Sequence, residues 1–469
     1  MKYVCLAAGV VVCVACVVSS VPQVRAEEKP VVDEILDILR RNKQISDEEY
    51  GELQKRAREE DPSTFRVSWK EGLRFETKDK KFVLKMVGRI QNDWALMEAS
   101  SLEDDFGRSA TTNGTPTNRL SGLDDIETGT EFRRARLGIA GTVYESVEFK
   151  SQFDFAGGDA AFKDVYLGLT KLPVLQHVRV GQFKEPFSLE ELTSSNHTTF
   201  LERGLPNVFA PSRKTGVGVL QNYADDRVSW AIGAFRNTDD FGDGFGGDSE
   251  YNVTTRLTGL PWFEAESGNV LHLGLSYSHQ FRNDDSLRYR QRPEAHLSPV
   301  QFVDTSLTRL AAGGVSETLN ISSDGVDLLN PELALVVGPF SFQTEYMHSF
   351  IDASSGSDPD FYGLYAYVSY FITDEHRNYR PVEAAFDRIR PKQSFLDGEG
   401  GVGAWEVALR YSRLDLEDAG VRGGKLDDVT VAVNWYLNPN VRVMFNYVWA
   451  DLENHGDANV VQCRFQVEL

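Results

Sequence analysis

Cysteine is scarce in this chain. Of four cysteines, Cys5, Cys13 and Cys16 lie in the first 26 residues and Cys463 stands alone near the other end. No internal disulfide can therefore staple the part of the chain that follows residue 26. Long apolar runs are missing too: past residue 26 no segment is apolar enough for the ~20-residue helix that crosses a bilayer. Catalytic motifs are missing as well. There is no His-Glu-x-x-His and no Gly-x-Ser-x-Gly, and the eight histidines are scattered. Lys214-Thr215-Gly216 has no Ser-x-x-Lys to complete a penicillin-binding motif. Positive charge is in deficit. Without residues 1–26 the chain holds 47 Lys and Arg against 70 Asp and Glu, a net charge of −23. Such acidity argues against nucleic acid or an anionic surface as partner, yet leaves room for a basic patch inside a lumen. No enzyme, cofactor or metal site is expected.

What is present begins with an export signal. Lys2 precedes an apolar stretch, Val4–Val18, and Val24-Arg25-Ala26 offers a cleavage site after Ala26. Residues 27–62 change character. Val32, Ile35, Leu36, Ile38 and Leu39 recur at helical spacing, and Ser46-Asp47-Glu48-Glu49 reads as a capping box opening a second helix. This predicts a short periplasmic helical hairpin, either a spacer or a short coiled coil.

From residue 82 the pattern becomes a period of two. In Val441–Trp449, Val441, Val443, Phe445, Tyr447 and Trp449 share one face, and Arg442, Met444, Asn446 and Val448 share the other. A spanning strand needs only ~9–11 tilted residues with this alternation, lipid outside and water inside. A mean hydropathy of −0.34 suits such averaging. Strands are predicted at 82–97, 131–144, 148–157, 161–170, 177–186, 215–223, 227–238, 250–262, 269–282, 330–338, 341–352, 361–373, 404–416, 425–438, 441–452 and 460–469. The number is even, as bacterial barrels require, and odd connections come out long while even ones come out short. Only 374–403 breaks the short-turn pattern. The fold class is all-β: a 16-stranded antiparallel transmembrane β-barrel over 63–469, behind a signal peptide (1–26) and a helical segment (27–62). It is placed in the bacterial outer membrane, with outer-membrane lipid as a partner.

Strand periodicity proposes lumen positions. Arg134 and Arg136 oppose Leu137, Ile139 and Val143; Lys85, Arg89, Gln91 and Asp93 oppose Leu84, Met86, Ile90 and Trp94; Lys150, Gln152 and Asp154 oppose Phe149, Phe153 and Phe155. Arg179, Arg256 and Arg282 fall on the polar sides of their strands. Each lumen arginine could line a pathway or simply pair with a lumen acid such as Asp93, Asp154 or Glu406. Arg133 alternates toward lipid, where a mid-membrane arginine costs ~2–4 kcal/mol, so it belongs at a rim, a bulge or a subunit interface. Residues 187–214 form a long polar loop carrying Phe200, Leu205, Val208 and Phe209. Folded into the barrel it would narrow the pore, with Arg203, Arg213 and Lys214 at the throat; the alternative is packing on a neighbouring subunit. Asp239–Glu250 has acids at calcium-loop positions, but Phe241 occupies one of them; a solvated acidic loop is the plainer reading.

Seven short motifs then fall in order: Val87-Gly88-Arg89-Ile90-Gln91; Phe132-Arg133-Arg134-Ala135-Arg136-Leu137; Val180-Gly181-Gln182-Phe183-Lys184; Thr193-Ser194-Ser195; Leu201-Glu202-Arg203; Phe386-Asp387-Arg388-Ile389-Arg390-Pro391; and Val433-Asn434-Trp435-Tyr436. In this order and spacing, over roughly 69–469, the chain resembles the phosphate-selective porin O/P family. The resemblance implies a homotrimer of sixteen-stranded barrels with an anion pathway lined by arginines and lysines, Arg133 and Lys184 among them. The expected function is passive diffusion of small anions, phosphate or polyphosphate; the alternative is a structural or adhesive barrel with a plugged lumen. Two departures stand out. Where the family has a basic cluster before strand 250–262, this chain has the acidic, glycine-rich Phe241–Glu250 and only Arg256 on the strand, and the final residue is Leu469 rather than Phe.

Overall fold

The computed structural model describes residues 31–59, 65–70, 72–99, 126–244, 250–310 and 316–469, with two short segments at 110–112 and 115–117. The signal peptide lies outside the described residues. The chain divides into two compact units.

The first holds two helices, α1 (Val31–Arg41) and α2 (Asp47–Glu59). The capping box forms: Ser46 Oγ accepts the Glu49 amide at 3.1 Å and Glu49 Oε2 accepts the Ser46 amide at 2.8 Å. Tyr50 donates to Asp37 across the hairpin at 2.7 Å, and Leu36 is buried.

The second unit is a closed barrel. Its strands are β1 (Phe82–Glu98), β2 (Ile126–Val143), β3 (Val147–Asp154), β4 (Ala161–Thr170), β5 (His177–Lys184), β6 (Arg213–Tyr223), β7 (Val228–Arg236) and β8 (Tyr251–Glu264). They continue as β9 (Asn269–Leu287), β10 (Ile321–Val337), β11 (Phe340–Ala353), β12 (Asp360–Phe371), β13 (Ala404–Asp418), β14 (Val421–Asn438), β15 (Val441–Leu452) and β16 (Gly456–Glu468). Each pairs antiparallel with the next, and β16 returns to β1 from Asn459↔Glu98 to Glu468↔Arg89. Closure leaves no unpaired edge in the wall.

The period of two reads directly as inside and outside. Along β15, Arg442, Met444, Asn446 and Val448 are buried, whereas Phe445, Tyr447 and Trp449 are exposed. Ile90, Ile139, Leu257, Leu275, Val431 and Phe465 continue the outward apolar belt, the surface a bilayer covers. All sixteen expected strands are present, with shifted ends: β10 starts at Ile321 rather than 330, β2 at Ile126 rather than 131, and β16 at Gly456 rather than 460. At the starts of β2 and β10 polar residues fall on both faces, as in Ser322-Ser323-Asp324-Gly325, so the alternation has no contrast.

Protein fills one side of the lumen. Residues 185–212, with the short helix α3 (Leu189–Leu192), and residues 288–306 turn inward against β9–β16. There Phe187, Leu205, Phe209, Phe302, Leu328, Leu414 and Val448 form a dry cluster. From the end of the short turns, the first half of 372–403 folds in as well; the segment breaks the turn rule because that half belongs to the interior.

Candidate functional site: a basic cavity along β1–β8

The filling leaves a cavity of about 630 Å³. Its walls are β1–β8 on one side, the inward loop 185–212 on another, and residues 380–387 at the turn end. Ten Lys and Arg side chains line it against four Asp and Glu, in a chain whose formal charge is −21. Of the twelve basic residues singled out from the sequence, Arg89, Arg134, Arg136, Lys150, Arg179, Lys184, Arg203, Arg213 and Arg256 line this cavity. Those on strands come together because β1 to β8 are consecutive in space as well as in sequence, and Arg203 reaches the cavity from the inward loop.

Most of these cations have a carboxylate. Arg136 meets Asp154 at 2.7 Å. Lys150 and Arg213 share Asp164, each at 2.7 Å. Arg179 and His177 share Glu148 at 3.1 and 2.7 Å, and the Arg179 guanidinium stacks over Tyr166 at 4.2 Å. Arg256 makes a two-pronged contact with Glu332, 2.8 Å on both arms. Lys184 and Arg203 share Glu191 at 3.3 and 3.1 Å. Burial alone would raise the Glu191 carboxyl, but Arg203 and then Lys184 outweigh it and hold it down at about 2.

Two buried arginines differ. Arg89 donates to Ser195 Oγ at 2.6 Å and Ser194 Oγ at 3.4 Å, and its Nε is buried without a partner. Arg134 donates to Gln91 Oε1 at 2.8 Å. Gln91 is itself fixed by its donations to the Ser195 carbonyl and Gln466. Neither guanidinium has an ion-pair partner among the described residues. A buried cation answered only by hydroxyls and amides keeps unspent attraction for an anion.

Three residues stand elsewhere. Arg133 does not face lipid: Gln91 pairs with Arg134 and Asn92 with Phe132, so Arg133 sits unpaired at a β-bulge. The extra residue turns it inward, where it grips Glu202 with both arms at 3.0 Å. Glu202 is held well below the usual carboxylate range: burial opposes this, but Arg133, Arg464 and Arg134 win. Lys214, next to Arg213 along the strand, points away from the cavity and donates to Asn237 and the Thr238 carbonyl. Arg282 on β9 is not on the cavity either.

Sequence reasoning missed the turn-end contribution. Arg380, Glu383 and Asp387 line the cavity, the Ala384 carbonyl accepts from Arg256 at 3.0 Å, and Tyr379 bonds His272 at 2.8 Å. His197 of the inward loop reaches Glu468 at 3.1 Å, which also pairs with Arg388 at 2.9 Å. The usable signal was the length of 374–403, wrong for a turn. Also missed were the clamps of the filled side. Arg410, fully buried, pairs with Glu294 and Glu190 and lies 4.2 Å over the Phe200 ring. Arg464 joins Asp93 at 2.6 Å to Glu202 at 2.7 Å.

A model of the family "phosphate-selective porin O and P" matches residues 117–469. Porin O of Pseudomonas aeruginosa is 28% identical over 421 residues, covering 83% of this chain and 89% of its own. An uncharacterized protein of Caulobacter vibrioides is 29% identical over 426 residues, covering 86% and 77%. Among solved structures, the outer membrane protein OmpT of Vibrio cholerae superposes with a TM-score of 0.49 at 11% identity, covering 83% of this chain and 98% of that one. The outer membrane channel DcaP of Acinetobacter baumannii gives 0.46 at 12% identity, covering 84% and 99%. With a closed sixteen-strand barrel and a family match over most of its length, this chain belongs to the phosphate-selective porin O and P family and is a channel of the bacterial outer membrane.

Proposed function

We propose that the channel passes small anions, phosphate or polyphosphate among them, along the basic wall of β1–β8, and that it works as a homotrimer. The observation that carries this reading is the pair Arg89 and Arg134, buried cations that donate to hydroxyl and amide oxygens and meet no carboxylate among the described residues. Arginine presents planar, permanently charged donors to an oxyanion, and a row of moderate sites lets an ion enter and leave where one deep site would trap it. The neighbouring Arg136, Lys150, Arg179 and Arg213, each partly neutralised by a carboxylate, are such moderate sites. The acidity of the whole chain does not decide selectivity, because charges on the outer loops are screened over ~8–10 Å at physiological salt. Phosphate preference is expected to be weaker than in relatives that carry a basic cluster before β8.

Reversal potentials in planar bilayers under a salt gradient test the proposal. The wild type should be anion-selective, with phosphate reducing chloride current. Arg89→Ala with Arg134→Ala should lower the anion-over-cation ratio while the barrel stays heat-modifiable. A cation-selective wild type would end the proposal, and a silent bilayer would favour the plugged barrel. Crosslinking in mild detergent that stops at monomer would remove the trimer.

A further inference from the structure

The connection 372–403 enters the lumen with its first half and leaves it with its second. Residues 394–403, Ser-Phe-Leu-Asp-Gly-Glu-Gly-Gly-Val-Gly, fold back over the outward face of β13 and β14. The Phe395 amide donates to the Leu437 carbonyl at 2.6 Å, and its ring meets Trp435 edge-on at 4.8 Å. Trp435 stacks on Trp405 at 5.1 Å, and both indole N–H groups donate to the Val402 carbonyl, at 2.9 and 3.2 Å. The tip is closed by the Leu396 amide on the Gly401 carbonyl at 3.1 Å, and by the Asp397 carboxylate accepting the Glu399 and Gly401 amides. This is a built loop.

Its tip is oddly chosen for water. Leu396 is 75% exposed and Val402 57%. Leu396 also holds a left-handed backbone, φ 54°, in a segment that supplies glycine at 398, 400, 401 and 403. Glycine would relieve that backbone, and a leucine in water gains nothing from the strain. The tryptophan pair under the tip is continuous with the lipid-facing belt: the exposed Ile372 donates its amide to the Trp405 carbonyl at 2.8 Å, exposed Tyr370 pairs with Val407, and exposed Leu409 and Val431 pair further along β13 and β14. A stacked tryptophan pair at the turn end of a barrel wall sits where aromatic girdles meet the headgroups.

We infer that residues 394–403 form a hydrophobic foot that inserts Leu396 and Val402 into the periplasmic leaflet of the outer membrane, with phospholipid acyl chains as the occupant of this face. The foot anchors, from outside the barrel, the same connection that lines the cavity inside it.

Site-directed fluorescence on the exported protein, residues 27–469, in which Cys463 is the one cysteine, tests this. In a Cys463→Ser background, Leu396→Cys, Val402→Cys and Glu399→Cys are each labelled with an environment-sensitive dye and reconstituted in phosphatidylcholine vesicles. Lipid brominated high on one acyl chain should quench the dyes at 396 and 402 several-fold more strongly than at 399, and aqueous iodide should show the reverse order. Val402 carries no backbone strain, so its label reports even if the change at 396 rearranges the tip. Iodide access at 396 and 402 without bromolipid quenching would overturn the foot, leaving it in water. Shielding of both positions from both quenchers would overturn it too, in favour of a protein partner.

Discussion

The two sides of the lumen are built from the same strand chemistry and end in opposite states. On the β9–β16 side, inward polar residues meet inward loops. Arg410 pairs with Glu294 and Glu190 under the Phe200 ring, Arg464 pairs with Asp93 and Glu202, and both arginines are fully buried. On the β1–β8 side loop 185–212 touches the wall, through Ser195 at Arg89 for example, but leaves an open space between, and the cations face that cavity. Ion pairs occur on both sides, so pairing alone does not separate structure from pathway. The difference lies in what surrounds the pair. In a dry site the partners are obligatory, because a lone buried charge costs several kcal/mol. Beside water, the same pair is screened and its cation stays within reach of a passing ion, which the proposed pathway requires.

This contrast can be broken most forcefully at Arg410. Arg410→Ala leaves Glu294 and Glu190 buried without their cation, a loss of about 3–5 kcal/mol. The temperature at which the folded band converts on a denaturing gel should drop, and bilayer current should grow noisier as the inward loops loosen. An unchanged conversion temperature would mean that the filled side does not depend on its clamps.

Glu185 sharpens the contrast at the seam between the two sides. Burial raises its carboxyl from 4.5 to about 7, against hydrogen bonds from Thr254 and Asn252 that pull it down. The folded value lies above the unfolded one, so its contribution is fully present below about 4.5 and lost as pH rises through about 7. Above that, wild type should lose up to roughly 3 kcal/mol relative to the protonated state. Unfolding midpoints in mild detergent should therefore favour Glu185→Gln at alkaline pH and converge with wild type in acid. Parallel curves would show that the group is not dry.

The smallest effect belongs to the open side. Asp164→Asn frees Lys150 and Arg213 together, so the anion-over-cation permeability ratio should rise modestly with little change in stability. A fall in that ratio would mean that Asp164 positions the two cations for transport.

The wall was legible because lipid on one face and polar interior on the other impose a period of two. That period alone points Arg133 toward lipid; the cost of an arginine there called for a rim, a bulge or an interface, and a bulge is what shifts the phase. The period also could not tell Arg89 from Arg410: both alternate inward, and only the path of 185–212 and 288–306 decides which meets a cavity and which meets a carboxylate. The start of β10 was missed for want of contrast, as polar residues occupy both faces there. The cavity-lining part of 372–403 announced itself as an overlong turn and through the motif Phe386–Pro391, neither of which says that it folds inward.

Closure of the barrel has a consequence for the order of assembly. The wall is complete only when β16, the last strand in sequence, pairs with β1. The inward loop docks across that very seam: Arg464 of β16 ties Asp93 of β1 to Glu202 of the loop, and Gln466 joins Gln91 while accepting from Arg442 and donating to the Asn196 carbonyl. A chain that has not yet delivered its final strand can therefore neither seal its wall nor seat the loop beside Arg89. The contacts that seal the wall are thus among those that hold the loop beside Arg89.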